Sequence, residues 1–530
     1  MVQGEGGGRL LERLIRAVTE RPRWTIAAVL ALTIFAGSRM VDPGARELRL
    51  QIDPSVNRLL PAKDEARRFY DRSRRIFGSD DQLVVAIASD DLFSSESLRR
   101  VKRLGSRLAE LDGVERVLSL FTALRIHGAE EDLAIEPFIT EIPEDREGIE
   151  SILRSVLEDP IYGGNLVSRD GRATALLVYL EDMPEAEFIK SGLDARIAEL
   201  AAQEAGEAEV WIGGVPHVKM ATSQVLLSDL MRVVPLGFAL LAIVAALAFR
   251  TARGVIVPLT TILIANTWTL ATMASLRYAL NLVTIVVPVL VQTIGFAYAI
   301  HVVSAYYELR RTGRESGDAA ADALRHIALS LLLTGVTTAA GLFSLTLSPM
   351  TAVREFGVAS VFGVLYTMVA AATFAPAALQ LGNPAIPSNS HSEAFDEIAG
   401  RLARFDQRHR RAIFVGAGLA LAIALAGMTR IQVNTDFVTN FAPEHPVRRD
   451  YESINASLEG AGSFSIVLQT DYAGAFKEPV NLREIEALQR WLEAQPEMGA
   501  TTSPVSTPRP GALRTSSRPP SAHCARSGAR

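Results

Sequence analysis

The chain has 530 residues, of which 48% are hydrophobic and 21% charged, and its net charge is -5. This negative charge argues against nucleic acid as a partner. The single cysteine, Cys524, excludes an internal disulfide framework and a multi-cysteine metal site. The mean hydropathy is +0.19, and the apolar residues occur in blocks, as expected when membrane spans alternate with water-soluble regions.

Seven apolar runs are long enough to cross, or nearly cross, about 30 Å of hydrocarbon. A buried core helix is the alternative for any one run, but five consecutive helices apolar on every face would be very unusual in a soluble domain. The runs extend approximately from Trp24 to Met40, Val233 to Phe249, Gly254 to Leu276, Leu280 to Ala305, Ile327 to Leu347, Glu355 to Gln380 and Ala412 to Met428.

Arginines cluster before the first span, between spans two and three, after span four and before span seven. The positive-inside rule therefore predicts a cytoplasmic N-terminus and external segments after spans one and seven. The first run could also be a cleaved signal peptide, since it has an arginine-rich front and small residues at Ala36-Gly37-Ser38.

A repeated segment argues against the signal peptide. Arg49-Leu-Gln-Ile-Asp53, leading to Pro61, returns as Arg430-Ile-Gln-Val-Asn434, leading to Pro443. Each copy follows a basic cluster and an apolar run, and each precedes a polar segment. The sequence therefore predicts a repeated unit of membrane helix and external domain, with the second copy incomplete.

The segment between spans one and two alternates strand and helix patterns. Two strand–helix–strand units predict an α+β, ferredoxin-like domain. The predicted elements are strand 83–88, helix 94–111, strand 114–119, strand 173–180, helix 185–203 and strand 209–213, and the second copy begins in the same way with strand 464–469 and helix 482–492. No catalytic, cofactor-binding or metal-ligand motif is apparent, so we expect neither an enzyme nor a cofactor.

This layout resembles the resistance–nodulation–division (RND) superfamily, and within it the mycobacterial large membrane proteins (MMPL) and hopanoid exporters. The best local match is in span four, where Ile294-Gly-Phe-Ala-Tyr-Ala-Ile-His301 is followed by Ser304-Ala-Tyr-Tyr-Glu308. The resemblance implies export of a hydrophobic or lipid-like substrate, driven by an ion gradient. It also implies an acid at the position of Ala297, where this chain departs from the family.

The resemblance and the polar residues of span four together give the candidate site. We predict that Tyr298, His301, Ser304 and Gln292 serve transport or proton relay and that Gly295 is the motif glycine. An imidazole can exchange protons near neutral pH. The alternative is a hydrated His301 near the cytoplasmic interface, because it lies about 31 Å along a helix that begins at Leu280. Other amides and hydroxyls, such as Asn266 and Thr269, are expected to bond across helices.

The predicted division of the chain follows from these patterns. Residues 1–23 are cytoplasmic, 24–41 form a span, 42–231 an external domain, 232–381 a five-helix bundle similar to sterol-sensing domains, 382–411 a cytoplasmic linker, 412–429 span seven, 430–500 part of a second external domain and 501–530 a disordered tail. Within the external domain, Gly213-Gly-Val-Pro216 resembles the link that leads into span two in this family, and we expect this joint to pass motion between the external domain and the bundle. The alternative is that these glycines are plain turn residues. The tail has no periodicity, and we interpret it as an out-of-frame extension, with a natural flexible tail as the alternative.

The expected partners are membrane lipids, a hydrophobic or lipid-like substrate, and a second copy or another protein that supplies the missing half. The expected location is the bacterial cytoplasmic (inner) membrane. Two other function classes remain open. One is a lipid sensor or receptor that does not transport, which the missing acid favours. The other is an accessory to protein export of the SecD/SecF type.

Overall fold

The computed structural model describes residues 5–41, 49–50, 52–53, 61, 64–129, 132–159, 162–382, 392–431, 438–458, 460, 466–470, 472 and 474–494. The predicted tail and residues 54–60 and 432–437 of the repeated segments lie outside this set. The chain divides into two compact units. The first comprises Met1–Ala62 and Thr222–Phe437, and the second comprises Lys63–Ala221 and Val438–Arg530.

The regular elements follow one another in chain order. They are α1 (Glu5–Glu20), α2 (Pro22–Arg39), α3 (Glu65–Phe77), β1 (Gln82–Ala88), α4 (Ser95–Ala109), β2 (Val114–Leu118), β3 (Leu124–Ala129), β4 (Asp132–Pro137), α5 (Arg146–Glu158), β5 (Ala173–Leu180), α6 (Glu185–Ser191), α7 (Leu193–Ala205), β6 (Glu209–Gly213), α8 (Val215–Phe249), α9 (Ala252–Ser275), α10 (Val287–Arg311), α11 (Ser316–Phe343), α12 (Thr351–Gln380), α13 (Ser392–Met428), α14 (Pro446–Ser457) and α15 (Pro479–Glu493).

Within the described residues, six helices are long and apolar enough to cross a membrane, against seven predicted spans. These six lie within 215–249, 252–275, 284–311, 316–347, 351–380 and 400–428. The first predicted span corresponds to α2, which is not among them. With 18 residues, α2 is about 27 Å long, slightly less than the hydrocarbon thickness, and it carries Arg23 and Arg39 near its ends.

The first unit is built around α9, α10, α11 and α12. Close helix contacts depend on glycine, since a Cβ atom at Gly363 of α12 would overlap Val291 of α10 and would lie 3.4 Å from Thr269 Oγ1 of α9. The short helix α2 packs against α9, where Trp268 Nε1 donates a hydrogen bond of 3.0 Å to Thr33 Oγ1. The apolar window of α13 has no buried residue, so this described helix lies outside the bundle.

Three described residues of the first repeated segment contact residues just before two bundle helices. Ile52 pairs with Leu280, the Asp53 N–H donates to the Leu280 carbonyl at 2.9 Å, and Pro61 pairs with Met350. A tight turn separates Leu280 from α10: the Asn281 side-chain oxygen accepts from the Thr284 N–H at 3.0 Å. Helix α10 therefore begins at Val287 rather than at the predicted Leu280, because Asn281 and Thr284 form a local turn instead of a helical one.

The second unit contains a four-stranded sheet with the order β2-β5-β1-β6, and every neighbouring pair is antiparallel. Successive side chains of β1 point to opposite faces. Leu83, Val85 and Ile87 belong to the core with α4 and α7. Val84 and Ala86 face the other way and pack with Ile454 of α14 and Leu458, the residue that follows it. A separate hairpin is formed by β3 and β4.

Several predicted elements of this unit are corrected. The helix predicted over 185–203 is interrupted at Gly192, whose φ of +65° breaks it into α6 and α7. Of the strand predicted over 464–469, the described residues 466–469 have no regular structure, and no described strand pairs with them. The helix predicted over 482–492 is present within α15.

The joint after β6 requires glycine at one position. Gly214 has a φ of +104°, and a Cβ atom there would overlap the Gln82 carbonyl oxygen of β1. Helix α8 begins at the next residue and continues for 35 residues, so the predicted amphipathic helix 221–231 and span two form one helix. The proposed passage of motion through this link stays a prediction.

Candidate functional site

Helix α10 has two distinct faces, and the candidate residues divide between them. Gln292, Gly295 and Tyr298 are buried in the bundle, whereas His301 and Ser304 are exposed. Thr293, Ala297 and Glu308 are exposed as well, and the five residues follow one another along the helix in steps of three or four residues. The structure therefore brings His301, Ser304 and the Ala297 position together on one stripe, and it separates them from Tyr298.

Gln292 joins α10 to α8. Its Nε2 atom donates a hydrogen bond of 3.0 Å to the Val234 carbonyl oxygen, and the side chain is 1% exposed. Gly237 makes room for this amide, since a Cβ atom there would lie 3.0 Å from Gln292 Oε1. The adjacent Pro235 lies inside α8. We assign Gln292 an interhelical contact within the bundle, away from the exposed stripe.

Gly295 lies at a close approach between α10 and α12. A Cβ atom at this position would lie 2.9 Å from Thr367 Cγ2 and 3.5 Å from Ile262 Cγ1 of α9. Thr367 is completely buried, and its hydroxyl donates to the Val364 carbonyl at 2.7 Å, which fixes its rotamer. The motif glycine is therefore explained by packing of three helices.

Tyr298 is buried in a cluster with side chains of α11 and α12, including Leu331 and Ala371. Its hydroxyl points toward Thr338 without forming a well-aligned hydrogen bond. A buried hydroxyl without a good partner is costly. Tyr298 is thus a buried polar group inside the first bundle, whereas Ser304 is exposed.

His301 lies farther inside the helix than the sequence suggested. Counted from Val287, it is about 21 Å along α10 and about 15 Å before Arg311. The predicted distance of about 31 Å between the start of the helix and His301 was wrong, because residues 280–286 are not part of α10. His301 makes no hydrogen bond or ion pair with a residue that the structure describes. His301 is therefore an exposed imidazole that lies more than two helical turns before the basic end of α10.

The two tyrosines that follow Ser304 hold the ends of neighbouring helices. The Tyr306 hydroxyl lies 2.8 Å from Ser316 Oγ, which in turn donates to the Gln380 carbonyl at 3.2 Å. The Tyr307 hydroxyl lies 2.8 Å from Thr251 Oγ1. Sequence reasoning missed Ser316 and Thr251, although a serine and a threonine immediately outside apolar runs are typical helix-start residues.

Most hydroxyls in the spans bond to their own helix. Thr261 and Thr269 of α9 and Thr337 of α11 donate to the carbonyl four residues earlier, at 2.7 to 2.8 Å. The expectation of bonds across helices fails at these positions because the local carbonyl is already within reach. Asn266 is 6% exposed, and neither of its amide atoms has a hydrogen-bond partner among the described residues.

Outside the bundle core, an ion pair links α1 to α11. Arg325 donates to both carboxylate oxygens of Glu12, at 2.6 and 3.3 Å, and to Asp322 at 2.8 Å. The Arg325 guanidinium lowers the pKa of the Glu12 carboxyl below its usual value. Both side chains are partly exposed, so this pair contributes little to stability.

Among the described residues, no group of three or more His, Cys, Asp or Glu side chains could hold a metal ion. The site therefore consists of the exposed stripe of α10 and the packed face behind it. Together with six long apolar helices, this arrangement defines an integral membrane protein of the helical-bundle class.

The family follows from comparison with known proteins. The model of the MMPL family matches residues 93–412, and the chain belongs to this family within the RND superfamily. It is 24% identical over 384 residues to the putative membrane protein MJ1562 of Methanocaldococcus jannaschii, which covers 69% of this chain and 92% of that protein.

Longer relatives match over a smaller part of their length. The chain is 23% identical over 334 residues to the probable transport protein MmpL9 of Mycobacterium tuberculosis, which covers 62% of this chain and 32% of MmpL9. It is 30% identical over 152 residues to the putative membrane protein SCO6666 of Streptomyces coelicolor, which covers 28% of this chain and 22% of that protein.

Proposed function

We propose that this chain is a membrane transporter unit that exports a hydrophobic or lipid-like substrate across the bacterial cytoplasmic membrane. The observation that carries the proposal is the MMPL match across 93–412, together with the similarity to a protein named as a probable transporter. The orientation proposed here has the N-terminus in the cytoplasm and the sheet-containing unit outside, as the arginine distribution predicts.

The exposed stripe of α10 supports assembly with further helices. Thr293, His301 and Ser304 are exposed within an apolar helix that is long enough to span the bilayer. Polar side chains at membrane depth normally face other protein or a water-filled path, because their exposure to lipid is costly. We propose that a second bundle, from another copy or from another protein, covers this stripe.

His301 would then lie where protons could move between the two bundles. Ala297, at the position of the family's acid, cannot carry a proton, whereas an imidazole four residues later on the same face can. We propose that His301 carries the proton coupling of this unit, with Ser304 beside it. Tyr298 and Gln292 support the helix positions from the packed face.

The sheet order supports a finer proposal about the external unit. With β1, β2, β5 and β6 as the four strands of two strand–helix–strand units, the order β2-β5-β1-β6 with antiparallel neighbours fits a ferredoxin-like domain. We also propose that the chain contains an internal repeat, whose second external domain begins after α13.

The test is lipid movement in proteoliposomes that contain the purified full chain. Transfer of a fluorescent NBD-labelled phosphatidylethanolamine between leaflets is measured as the loss of its protection from an added quencher. We expect a transfer rate that rises with an imposed pH gradient and falls at least ten-fold in His301→Ala. The matched control, Thr293→Ala on the same stripe, should keep the wild-type rate. Equal rates in His301→Ala and wild type would refute the relay.

A lipid sensor is the second candidate, and Ala297 is the observation that favours it. A sensor would bind the NBD lipid with saturation, while its transfer rate would not depend on the pH gradient. Gradient-dependent transfer by the wild type would exclude this alternative. Accessory function in protein export has no comparable support from the described residues.

A further inference from the structure

Charged side chains tie the first residues of α8 to other elements of the second unit. Lys219 places its Nζ atom 3.3 Å from Glu185 Oε1 of α6 and 3.7 Å from Asp81 Oδ1, just before β1. The Lys219 side chain is 19% exposed, so these ion pairs are partly buried. Lysine and carboxylate side chains usually keep their charges between about pH 5 and 8. This tie is therefore expected to be insensitive to pH in that range.

The second tie is a histidine–carboxylate pair. His217 Nδ1 lies 2.8 Å from Asp194 Oδ1 of α7, and the two side chains are only 15% and 9% exposed. The pair borders the core of the second unit, in which Leu193 of α7 and Met220 of α8 are buried. The start of α7 and the start of α8 are therefore joined by a largely buried contact that contains a titratable group.

The strength of this contact depends on the proton of the imidazole. Asp194 lies in the first turn of α7, where the helix dipole favours a negative carboxylate. With a protonated imidazole, the hydrogen bond is charge-assisted and both charges are compensated. With a neutral imidazole, the buried carboxylate loses its counter-ion, which is costly. Imidazole changes its charge between about pH 5 and 8, so the contact should be stronger at the acid end of this range.

Other charged groups of the described residues surround His217. Asp450 of α14 accepts a hydrogen bond of 3.3 Å from the Ile212 N–H of β6. Burial raises the pKa of the Asp450 carboxyl, whereas this hydrogen bond and the charges of Arg449 and His217 act in the opposite direction. A protonated His217 is therefore attracted by carboxylates of two helices, α7 and α14. The other charged neighbours are those of the first tie: Lys219 of α8, Glu185 of α6 and Asp81 before β1.

We propose that His217 and Asp194 form an acid-sensitive clamp, which fastens the first turn of α8 to α7 when His217 takes up a proton and loosens it when the proton leaves. This inference rests on the proposed function, because the proposed orientation exposes the second unit to the external side of the membrane. The start of α8 would thus respond to external pH. The clamp is a separate site from His301 of α10, and it would regulate export rather than carry its proton coupling.

Hydrogen–deuterium exchange in the full chain, purified in lipid nanodiscs, tests the clamp. Exchange is measured at about pH 5.5 and about pH 7.5, on either side of the usual imidazole titration. The reporting amides are those that follow His217 in α8, among which the Val218 N–H donates to the Gly214 carbonyl at 3.2 Å. Division by the intrinsic exchange rate at each pH gives protection factors that can be compared between the two conditions.

Three variants identify the titrating group. His217→Asn keeps a side-chain N–H near the position of Nδ1 but cannot take up the proton. The matched control, His445→Asn, removes from the same unit an imidazole whose Nδ1 has no hydrogen-bond partner among the described residues. Asp450→Asn removes the second group whose titration could contribute, since its pKa is raised by burial.

We expect wild-type protection factors to be at least about ten-fold higher at the lower pH. This ratio should persist in His445→Asn and fall to about one in His217→Asn. Equal wild-type protection at the two pH values would overturn the proposal without recourse to any variant, and so would a ratio that survives in His217→Asn. Loss of the ratio in Asp450→Asn together with its survival in His217→Asn would assign the response to Asp450 instead.

The exchange measurement needs neither a gradient nor a transported lipid. Protection that depends on pH and on His217, together with a failed lipid-transfer assay, would keep the clamp and remove the export function. Gradient-dependent lipid transfer with equal protection at both pH values would do the reverse.

Discussion

Gly295→Ala is the substitution whose effect can be worked out most fully from the structure. The new Cβ atom would lie 2.9 Å from Thr367 Cγ2, where carbon atoms in contact are normally about 3.5–4.0 Å apart. Thr367 cannot simply rotate, because its hydroxyl is held by the Val364 carbonyl at 2.7 Å. Helix α10 and helix α12 must therefore separate by several tenths of an ångström.

The expected magnitude combines two opposing effects. Overpacking a tight contact costs about 1–3 kcal/mol, while replacing a helical glycine by alanine gains about 1 kcal/mol in helix propensity. The matched control is Gly341→Ala in α11, where a Cβ atom would meet nothing within 4 Å. Gly295→Ala should thus be about 1–3 kcal/mol less stable than Gly341→Ala, since both gain the same propensity.

Thr367→Ser provides the decisive rescue. It removes the overlapping methyl group and keeps the hydroxyl, so the double variant Gly295→Ala/Thr367→Ser should recover most of the loss. Equilibrium unfolding in SDS, followed by circular dichroism, measures all four members of this cycle and the Gly341→Ala control. Equal stability of the two alanine variants, or failure of the serine to restore stability, would refute the assignment of Gly295 to helix packing.

Two further predictions concern the second unit, which contains the four-stranded sheet. Gly214→Ala should lower the free energy of unfolding, measured by urea titration, by at least about 2 kcal/mol, because it combines a positive φ with overlap at the Gln82 carbonyl oxygen. The control is Gly192→Ala, where φ is +65° and a Cβ atom would meet nothing within 4 Å. It should lower the free energy of unfolding by only about 1 kcal/mol in the same measurement. Similar losses in the free energy of unfolding for the two variants would contradict the overlap between a Cβ atom at Gly214 and Gln82. Burial raises the pKa of Asp450 in the folded protein above its usual value of 3.8. The contribution of this carboxyl to the free energy of unfolding is therefore complete below pH 3.8, where it is protonated in both states. This contribution is lost as the pH rises through the folded-state pKa, because the buried group must then become charged. Asp450→Asn should therefore raise the melting temperature at pH 7 and change it little at pH 3.5, and an equal change at both values would exclude this titration.

Much of this architecture was predictable from local patterns. The apolar runs predicted five bundle helices because each run is longer than a buried soluble helix and bounded by arginines or turn residues. The short apolar run Leu83–Ala88 and the three–four spacing after Ser94 predicted β1 and α4. At the site, the motif identified Gly295 without a role, and the structure identifies Thr367 as the residue that a side chain there would meet.

The errors came where long-range contacts or single backbone angles decide the outcome. The start of α10 depends on an Asn281–Thr284 turn that apolar periodicity does not show. The break at Gly192 depends on one left-handed residue. Tyr298 is buried and Ser304 is exposed because the neighbouring helices cover only one face of α10, and the sequence does not show which face that is. Helix α14 was not predicted at all, because its stripe of only four apolar positions becomes recognisable once its sheet partner is known.

The hydrogen bond between Trp268 and Thr33 has a consequence for biogenesis. Helix α2 leaves the ribosome 235 residues before its partner in α9, which at about 5–20 residues per second is a delay of roughly 10–50 s. During this interval all six strands of the second unit are synthesised, since they lie between Gln82 and Gly213. The contact between Trp268 and Thr33 can therefore form only after the whole sheet has been translated.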